Sequence, residues 1–388
     1  MRIRGCSKSQ ILQTFQAHCL SLATNDNAGY RQEFEELEVV GREYTCRAGQ
    51  LDANKNKNRY PFILPYDHTR VQLSLLDSKL HSDYINANYV PGGTSEHDFI
   101  CTQAPLQCTM VDFWRMIWET NVALIVMVTA LREDGKVMCD QYWPPEQGTG
   151  CYGTVQVTTV SRQRHPEYYI TTIRLKQQGF RAVRHVTHYH YPLWPDQGVP
   201  QIASSLCTFT EHVRQHLDNI SSHGPTVVHC SAGVGRSGTF VALLWLLQLC
   251  ARGIPPNVRL AVQDLRKRRV MMVQNIEQYM LVHQCLLHYL GGETSKPRSD
   301  SRAAPVSLHP GVHHGSQQSM RSRRGRQRCS ERAQPMPQPQ QIKHTHPECI
   351  TQSSAAQPPP TSLQSLQTAL KSIHPAHLLR RIMPSTHN

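Results

Sequence analysis

Paired cysteines, long apolar runs and, in the last quarter, aromatic rings are scarce in this 388-residue chain. The 13 cysteines are odd in number and contain no Cys-x-x-Cys pair. That argues against a disulfide framework or a zinc ribbon and for a reducing, intracellular setting. The longest strongly apolar run, residues 123–131, is about half of the ~20 residues that a membrane-spanning helix needs. Arg2, Arg4 and Lys8 precede no continuous apolar stretch, so no secretory leader is expected. Beyond Gly292 there is no Phe, Trp or Tyr, while Pro, Ser, Gln and His dominate. Such a segment buries too little apolar surface to offset chain entropy, so residues 292–388 are read as a disordered tail.

What remains is uneven in charge. The tail holds 13 Lys/Arg against 4 Asp/Glu, so it supplies +9 of the net +13 and leaves +4 to the preceding 291 residues. Its most basic part is Arg321, Arg323, Arg324, Arg326 and Arg328. A basic tail suits acidic partners, RNA or anionic lipid; a solvated, nonspecific tail is the plainer reading, and no nucleic-acid function is expected. Leu363, Leu366, Leu370 and Ile373 stand at helical spacing before Pro375. They form a candidate docking helix, with transient helicity as the alternative.

Upstream of Gly291-Gly292 both hydrophobic periods occur. Residues 84–90, 153–160 and 168–175 alternate like strands, and 124–128 and 226–228 are continuous apolar runs suited to buried strands. Helical patterns fall at 110–120, 204–219, 237–250, 258–268 and 276–290. One α/β domain over residues 30–291 is expected, followed by the tail. It is preceded by an extension, 1–29, whose weakly amphipathic Ile11, Leu12, Phe15 and Leu20 leave it either packed on the domain or mobile.

The most informative stretch is Thr226-Val-Val-His-Cys-Ser-Ala-Gly-Val-Gly-Arg-Ser-Gly238. An apolar strand enters a loop with two glycines, and the loop enters a long apolar helix. That geometry points backbone N–H groups inward at a helix N-terminus, a nest for a dianionic oxyanion. Gly233 and Gly235 permit close backbone approach. Cys230 sits in this field, which favours thiolate over thiol. Arg236 offers a planar fork matched to two phosphate oxygens. No Gly-Lys-Ser/Thr follows, which disfavours ATP. A bare Cys-x5-Arg is otherwise a buried cysteine beside a surface arginine; the strand, glycines and helix tip the balance towards catalysis.

The segment His229-Cys-Ser-Ala-Gly-Val-Gly-Arg-Ser-Gly238 resembles the signature of the classical, phosphotyrosine-specific protein tyrosine phosphatases. Further matches run in family order: Lys57-Asn-Arg-Tyr60, Pro65-Tyr-Asp67, Asp83-Tyr-Ile-Asn-Ala87, Trp194-Pro-Asp-Gln-Gly198 and Val273-Gln-Asn-Ile-Glu-Gln278. Phe34-Glu-Glu-Leu37 and Phe113-Trp-Arg-Met116 are most similar to the cytoplasmic domains of single-domain receptor-type members. The resemblance implies a single α/β domain with a highly twisted mixed sheet flanked by helices, and phosphotyrosine-containing proteins as partners. It implies Cys230 as nucleophile and Arg236 as clamp, with Ser231, Ala232, Gly233, Val234 and Gly235 cradling phosphate. Asp196 would be general acid, then base, on a mobile lid anchored by Trp194. Ser237 would help the thiolate leave, and Gln274 and Gln278 would orient the hydrolytic water. Tyr60 would wall a deep cleft that phosphotyrosine reaches and phosphoserine does not. Glu133 would hold Arg236, with His229 supporting the loop.

No cofactor or metal is implied. His188 and His190 share a strand face that invites a metal reading, but a strand leading into the lid is the better account. The location expected is cytoplasmic, as a free enzyme or the intracellular part of a longer membrane-anchored product.

Five departures from the family pattern bear on turnover. Phe62 stands where Asn or Asp usually bonds the substrate backbone, and losing two such bonds at about 1 kcal/mol each would weaken binding some tenfold or more. Met138 replaces a lysine before Cys139, Gln197 a His or Phe, and Ala104 a glycine, while Met271 is bulky near the mouth. Two rivals therefore stay open: a phosphotyrosine-binding module with weak turnover, and a phosphatase preferring phosphoinositides.

Overall fold

The computed structural model describes residues 6–77, 79–220 and 224–292; the tail reading, with its docking helix, lies from residue 293 onward outside the described residues. The chain opens with α1 (Lys8–Leu37), capped by Ser7, whose side chain accepts from the Gln10 amide. It is not one rod. Asn25, Asp26 and Asn27 take φ of 51°, 57° and 64°, a conformation that Asn and Asp tolerate best among non-glycine residues. The chain folds back there, and a Cβ at Gly29 would lie 2.7 Å from the Leu22 Cα. Ile11, Phe15, Cys19, Leu22, Tyr30, Phe34 and Leu37 are buried in the main core. The expected boundary at residue 30 thus falls inside a packed helical hairpin; Leu12 is partly buried and Leu20 exposed.

Two short helices follow, α2 (Arg47–Gln50) and α3 (Asp52–Lys55), then β1 (Arg70–Gln72), β2 (Tyr84–Val90), β3 (Phe99–Thr102), α4 (Met110–Glu119) and β4 (Leu124–Met127). A hairpin, β5 (Arg132–Glu133) and β6 (Lys136–Val137), precedes β7 (Thr149–Tyr152), β8 (Val155–Arg164), β9 (Tyr169–Gln177) and β10 (Val183–His190). The chain then runs through α5 (Ala203–Asn219), β11 (Thr226–His229), α6 (Gly235–Ala251), α7 (Val258–Arg266) and α8 (Ile276–Gly291).

Nine strands form one mixed sheet in the order β1-β2-β3-β11-β4-β10-β9-β8-β7. Its centre is parallel: β11 pairs with β3 and β4, and β10 with β4, while the outer pairs are antiparallel. Apolar side chains on both faces explain the unbroken hydrophobic runs. In β4, Leu124 and Val126 join the core shared with α1 and α5 to α8, whereas Ile125 and Met127 join the core on the α4 face. β11 splits in the same way, and Cys230 follows Val228 on the α6 face. The carboxyl ends of these central strands are where loops in such a sheet assemble a site.

Candidate active site

The loop from Cys230 to Val234 joins β11 to α6 and is almost wholly buried. Gly233 takes φ +75°, and a Cβ there would sit 2.1 Å from the Thr102 carbonyl oxygen, so only glycine fits. Its amide donates to Cys230 Sγ at 3.2 Å. Gly235 opens α6, and a Cβ there would meet Gln274 Oε1 at 2.9 Å and Gln278 Oε1 at 3.0 Å. The missing side chain is what lets the two glutamines approach the loop.

Cys230 is 3% exposed. Burial alone pushes its pKa up. The Arg236 guanidinium, the Ser237 hydroxyl and amide and the Gly233 amide outweigh that and hold the thiol below its ordinary value. Ser237 Oγ is sealed from solvent, and it acts on the Cys230 sulfur.

Arg236 is likewise buried, and each edge of its fork is engaged. Nη1 donates to Glu133 Oε1 at 2.6 Å and to the Trp194 carbonyl at 2.8 Å, and Nη2 to Asp196 Oδ1 at 3.0 Å. The Asp196 amide donates to the other Glu133 oxygen at 2.8 Å. Glu133, on β5, therefore holds both the Arg236 guanidinium and the Asp196 backbone. Trp194 is fully buried and donates from Nε1 to the Gly198 carbonyl at 3.1 Å, while the Asp196 side chain is 47% exposed. Gln197 takes φ +53°, and its carbonyl accepts from Asn275 Nδ2 at 2.9 Å. The Trp194–Gly198 segment is pinned at the tryptophan and tethered at the half-exposed aspartate.

Behind the loop lies Arg269, a residue the sequence did not mark. It is fully buried and donates to the Gly233 and Ala232 carbonyls at 2.8 and 3.0 Å and to Asn88 and Asn86 side chains at 2.8 and 2.9 Å. Asn86 in turn donates to Asn58 and Ile63, which ties β2, the Tyr60 segment and the phosphate loop into one bracket. The signal lay in α7: Arg269 stands four residues after buried Leu265 and its amide bonds that residue's carbonyl. It hides in the run Arg266-Lys267-Arg268-Arg269, which otherwise reads as a solvated patch.

His229 sits on the opposite flank. Its Nδ1 is 3.0 Å from the Cys230 carbonyl, and because a carbonyl only accepts, Nδ1 carries the proton. Nε2 then accepts from the Tyr142 hydroxyl at 2.7 Å, and Tyr142 accepts from His188 Nε2 at 2.8 Å. This leaves His188 Nδ1 as a bare acceptor, the buried atom without a partner. Burial pushes His229 down to about 4 and His188 well below its usual value, so both are neutral near pH 7. His190 bonds the Thr129 carbonyl through Nε2 at 2.9 Å. The two β10 histidines thus serve packing and the loop flank.

Tyr60 reaches Ser231, hydroxyl to hydroxyl, at 2.9 Å, which puts it beside the Cys230–Val234 loop. Arg59, one residue before, is fixed by Gln103, Ala104, Pro105 and Asp140. The Ala104 amide donates to the Ser231 carbonyl at 2.9 Å. Phe62 is 92% exposed, Met271 is exposed at φ +54°, and Met138 is buried with its amide on the Leu131 carbonyl. Gln278 Oε1 accepts from the Gln274 amide at 3.0 Å, and the Gln278 amide is capped by Asn275.

Comparison with known proteins agrees with this geometry. The sequence model of the family described as protein-tyrosine phosphatase matches residues 54–288. The chain belongs to the protein-tyrosine phosphatase family. It is 39% identical over 277 residues to receptor-type tyrosine-protein phosphatase V of Rattus norvegicus, covering 71% of this chain and 16% of that protein. It is 40% identical over 283 residues to receptor-type tyrosine-protein phosphatase eta of Homo sapiens (72% and 21%). The same identity over 283 residues holds for the tyrosine-protein phosphatase Lar-like of Caenorhabditis elegans (73% and 13%). The chain thus spans about a fifth or less of the length of these relatives. No helix among the described residues is long and apolar enough to cross a membrane.

Proposed function

We propose that this chain hydrolyses phosphotyrosine on proteins through a cysteinyl-phosphate intermediate, in a reducing, cytoplasm-facing compartment. The observation that carries the reading is the Cys230 sulfur, drawn below its ordinary pKa inside a ring of amides beside Arg236. The thiolate attacks phosphorus from below. The loop amides and the Arg236 fork take up the charge that develops on the equatorial oxygens. Asp196 gives its proton to the departing tyrosyl oxygen.

A bound phosphate competes for the guanidinium edge that Asp196 now occupies, which frees the carboxyl to swing over the leaving group. In the second step Gln274 and Gln278 orient a water, Asp196 takes its proton, and Ser237 stabilises the departing sulfur. Phosphate and free thiolate result. Tyr60 sets the depth that selects phosphotyrosine.

The test compares phosphotyrosine peptide, phosphoserine peptide and phosphoinositide vesicles on the unmodified chain and on Cys230→Ser. Phosphate release from the phosphotyrosine peptide alone, lost in Cys230→Ser, is the expected result. Release that persists in Cys230→Ser, retention of phosphopeptide without release, or preference for the vesicles overturns the reading.

A further inference from the structure

A second cluster of chemistry-bearing side chains lies away from the Cys230 cleft, where the hairpin of α1 meets α8. His18 comes from the first arm of α1, Glu33 from the second and His283 from α8. One ligand atom from each lies within 4.8 Å of the others. We propose that His18, Glu33 and His283 form a site for a divalent cation of the zinc class, open to solvent on one side.

The support around each ligand favours this over a simple ion pair. His283 Nδ1 stands 3.0 Å from the Tyr279 carbonyl, so that nitrogen carries the proton and Nε2 presents a lone pair. Metal-bound histidines are held in this way, with the second nitrogen donating to an oxygen. The ring is fixed by Phe15 stacked at 5.7 Å and by Tyr30 and Tyr279 at 5.0 Å. Glu33 accepts from the Tyr279 hydroxyl through Oε2 at 2.6 Å, leaving Oε1 turned towards His18 at 4.0 Å. A ligating carboxylate steadied by an outer hydrogen bond is the same arrangement again.

Two imidazoles and a carboxylate suit zinc and its first-row neighbours, and three protein ligands leave a fourth position open. That position has room. A cavity of about 390 Å³ is lined by His18, Glu33, Phe15, Asn257, Arg259 and Gln263, among others. Arg259 is the cation facing this space, and Glu36 engages it at 2.5 Å. Tetrahedral bonds of 2.0–2.2 Å set ligand atoms about 3.3 Å apart, so the three must converge by roughly an ångström. The exposed His18 side chain is free to supply most of that movement.

The experiment uses the full chain carrying Cys230→Ser, which removes the thiolate that competes for soft cations and makes the readout independent of turnover. It is titrated with Zn²⁺ by calorimetry and with Co²⁺ by visible absorption, alongside the same chain with His18→Ala or Glu33→Gln added. Both added changes replace side chains that are not buried in the core, so the fold is retained. The expected result is one fewer tight Zn²⁺ equivalent, or at least a tenfold loss of its affinity, in each variant, with loss of a Co²⁺ ligand-field band. Equal stoichiometry, affinity and Co²⁺ spectra across all three proteins overturn the proposal, and the histidine–glutamate contact is then an ordinary surface pair.

Discussion

The Cys230–Gly235 loop and the Trp194–Gly198 segment, for which the proposed mechanism has the roles of phosphate loop and lid, are built in opposite ways. Residues 230–235 are buried apart from the half-buried Ala232, and the carbonyls of Ser231, Ala232 and Gly233 are fixed from behind by the Ala104 amide and Arg269. The lid is anchored at one buried indole, while Asp196 stays half exposed and is tethered by Arg236 and Glu133. In the proposed mechanism a thiolate is stabilised before substrate arrives, which matches surroundings that are over-determined. The same mechanism asks its proton donor to approach and later reverse its role, which matches tethers that are few and exchangeable. Glu133 links the two regimes, because one carboxylate bonds the clamp and the lid backbone at once.

Substitutions in each region should separate these roles. Asp196→Asn gives the largest effect: kcat for a phosphotyrosine peptide falls about 10²- to 10⁴-fold, with no loss in the thermal midpoint. A fall in stability of the same variant would show that the lid is structural. Arg269→Leu attacks the rigid region instead. It strands carbonyls and two asparagine side chains, so denaturant unfolding should report about 2–3 kcal/mol of lost stability, with turnover reduced as the loop loosens. Unchanged stability there would break the contrast. Phe62→Asn, at the exposed rim, sharpens it: KM for a phosphopeptide should drop some tenfold with kcat and stability preserved. An unchanged KM would mean that Phe62 does not limit binding.

Much of the buried loop was legible because its chemistry is local. A continuous apolar strand, two glycines, a cysteine and an arginine six residues further on, and a helix stand in one stretch of chain. The central strands β4 and β11 were legible for the same reason, being apolar on both faces. Arg269 was not, since its partners, Gly233 and Asn86, are 36 and 183 residues away along the chain. Nor was the packing of residues 8–29 decided, because the turn at Asn25-Asp26-Asn27 interrupts the helical period that would have revealed a buried face. Met138 was weighed as a departure bearing on turnover, and only the structure shows that its side chain lies in the interior. Glu133 was placed beside Arg236 by resemblance alone; its second bond, to the lid, is visible only in three dimensions.

The most direct measurement is the pH dependence of iodoacetate alkylation of Cys230, followed by mass spectrometry of its peptide. A thiol held below its ordinary value exists as thiolate above that lowered pKa and loses reactivity only when the pH falls through it. Half-maximal alkylation below the ~8.5 of a free cysteine is the expected result. A midpoint at or above that value, as burial without the amides and Arg236 would produce, contradicts the covalent mechanism.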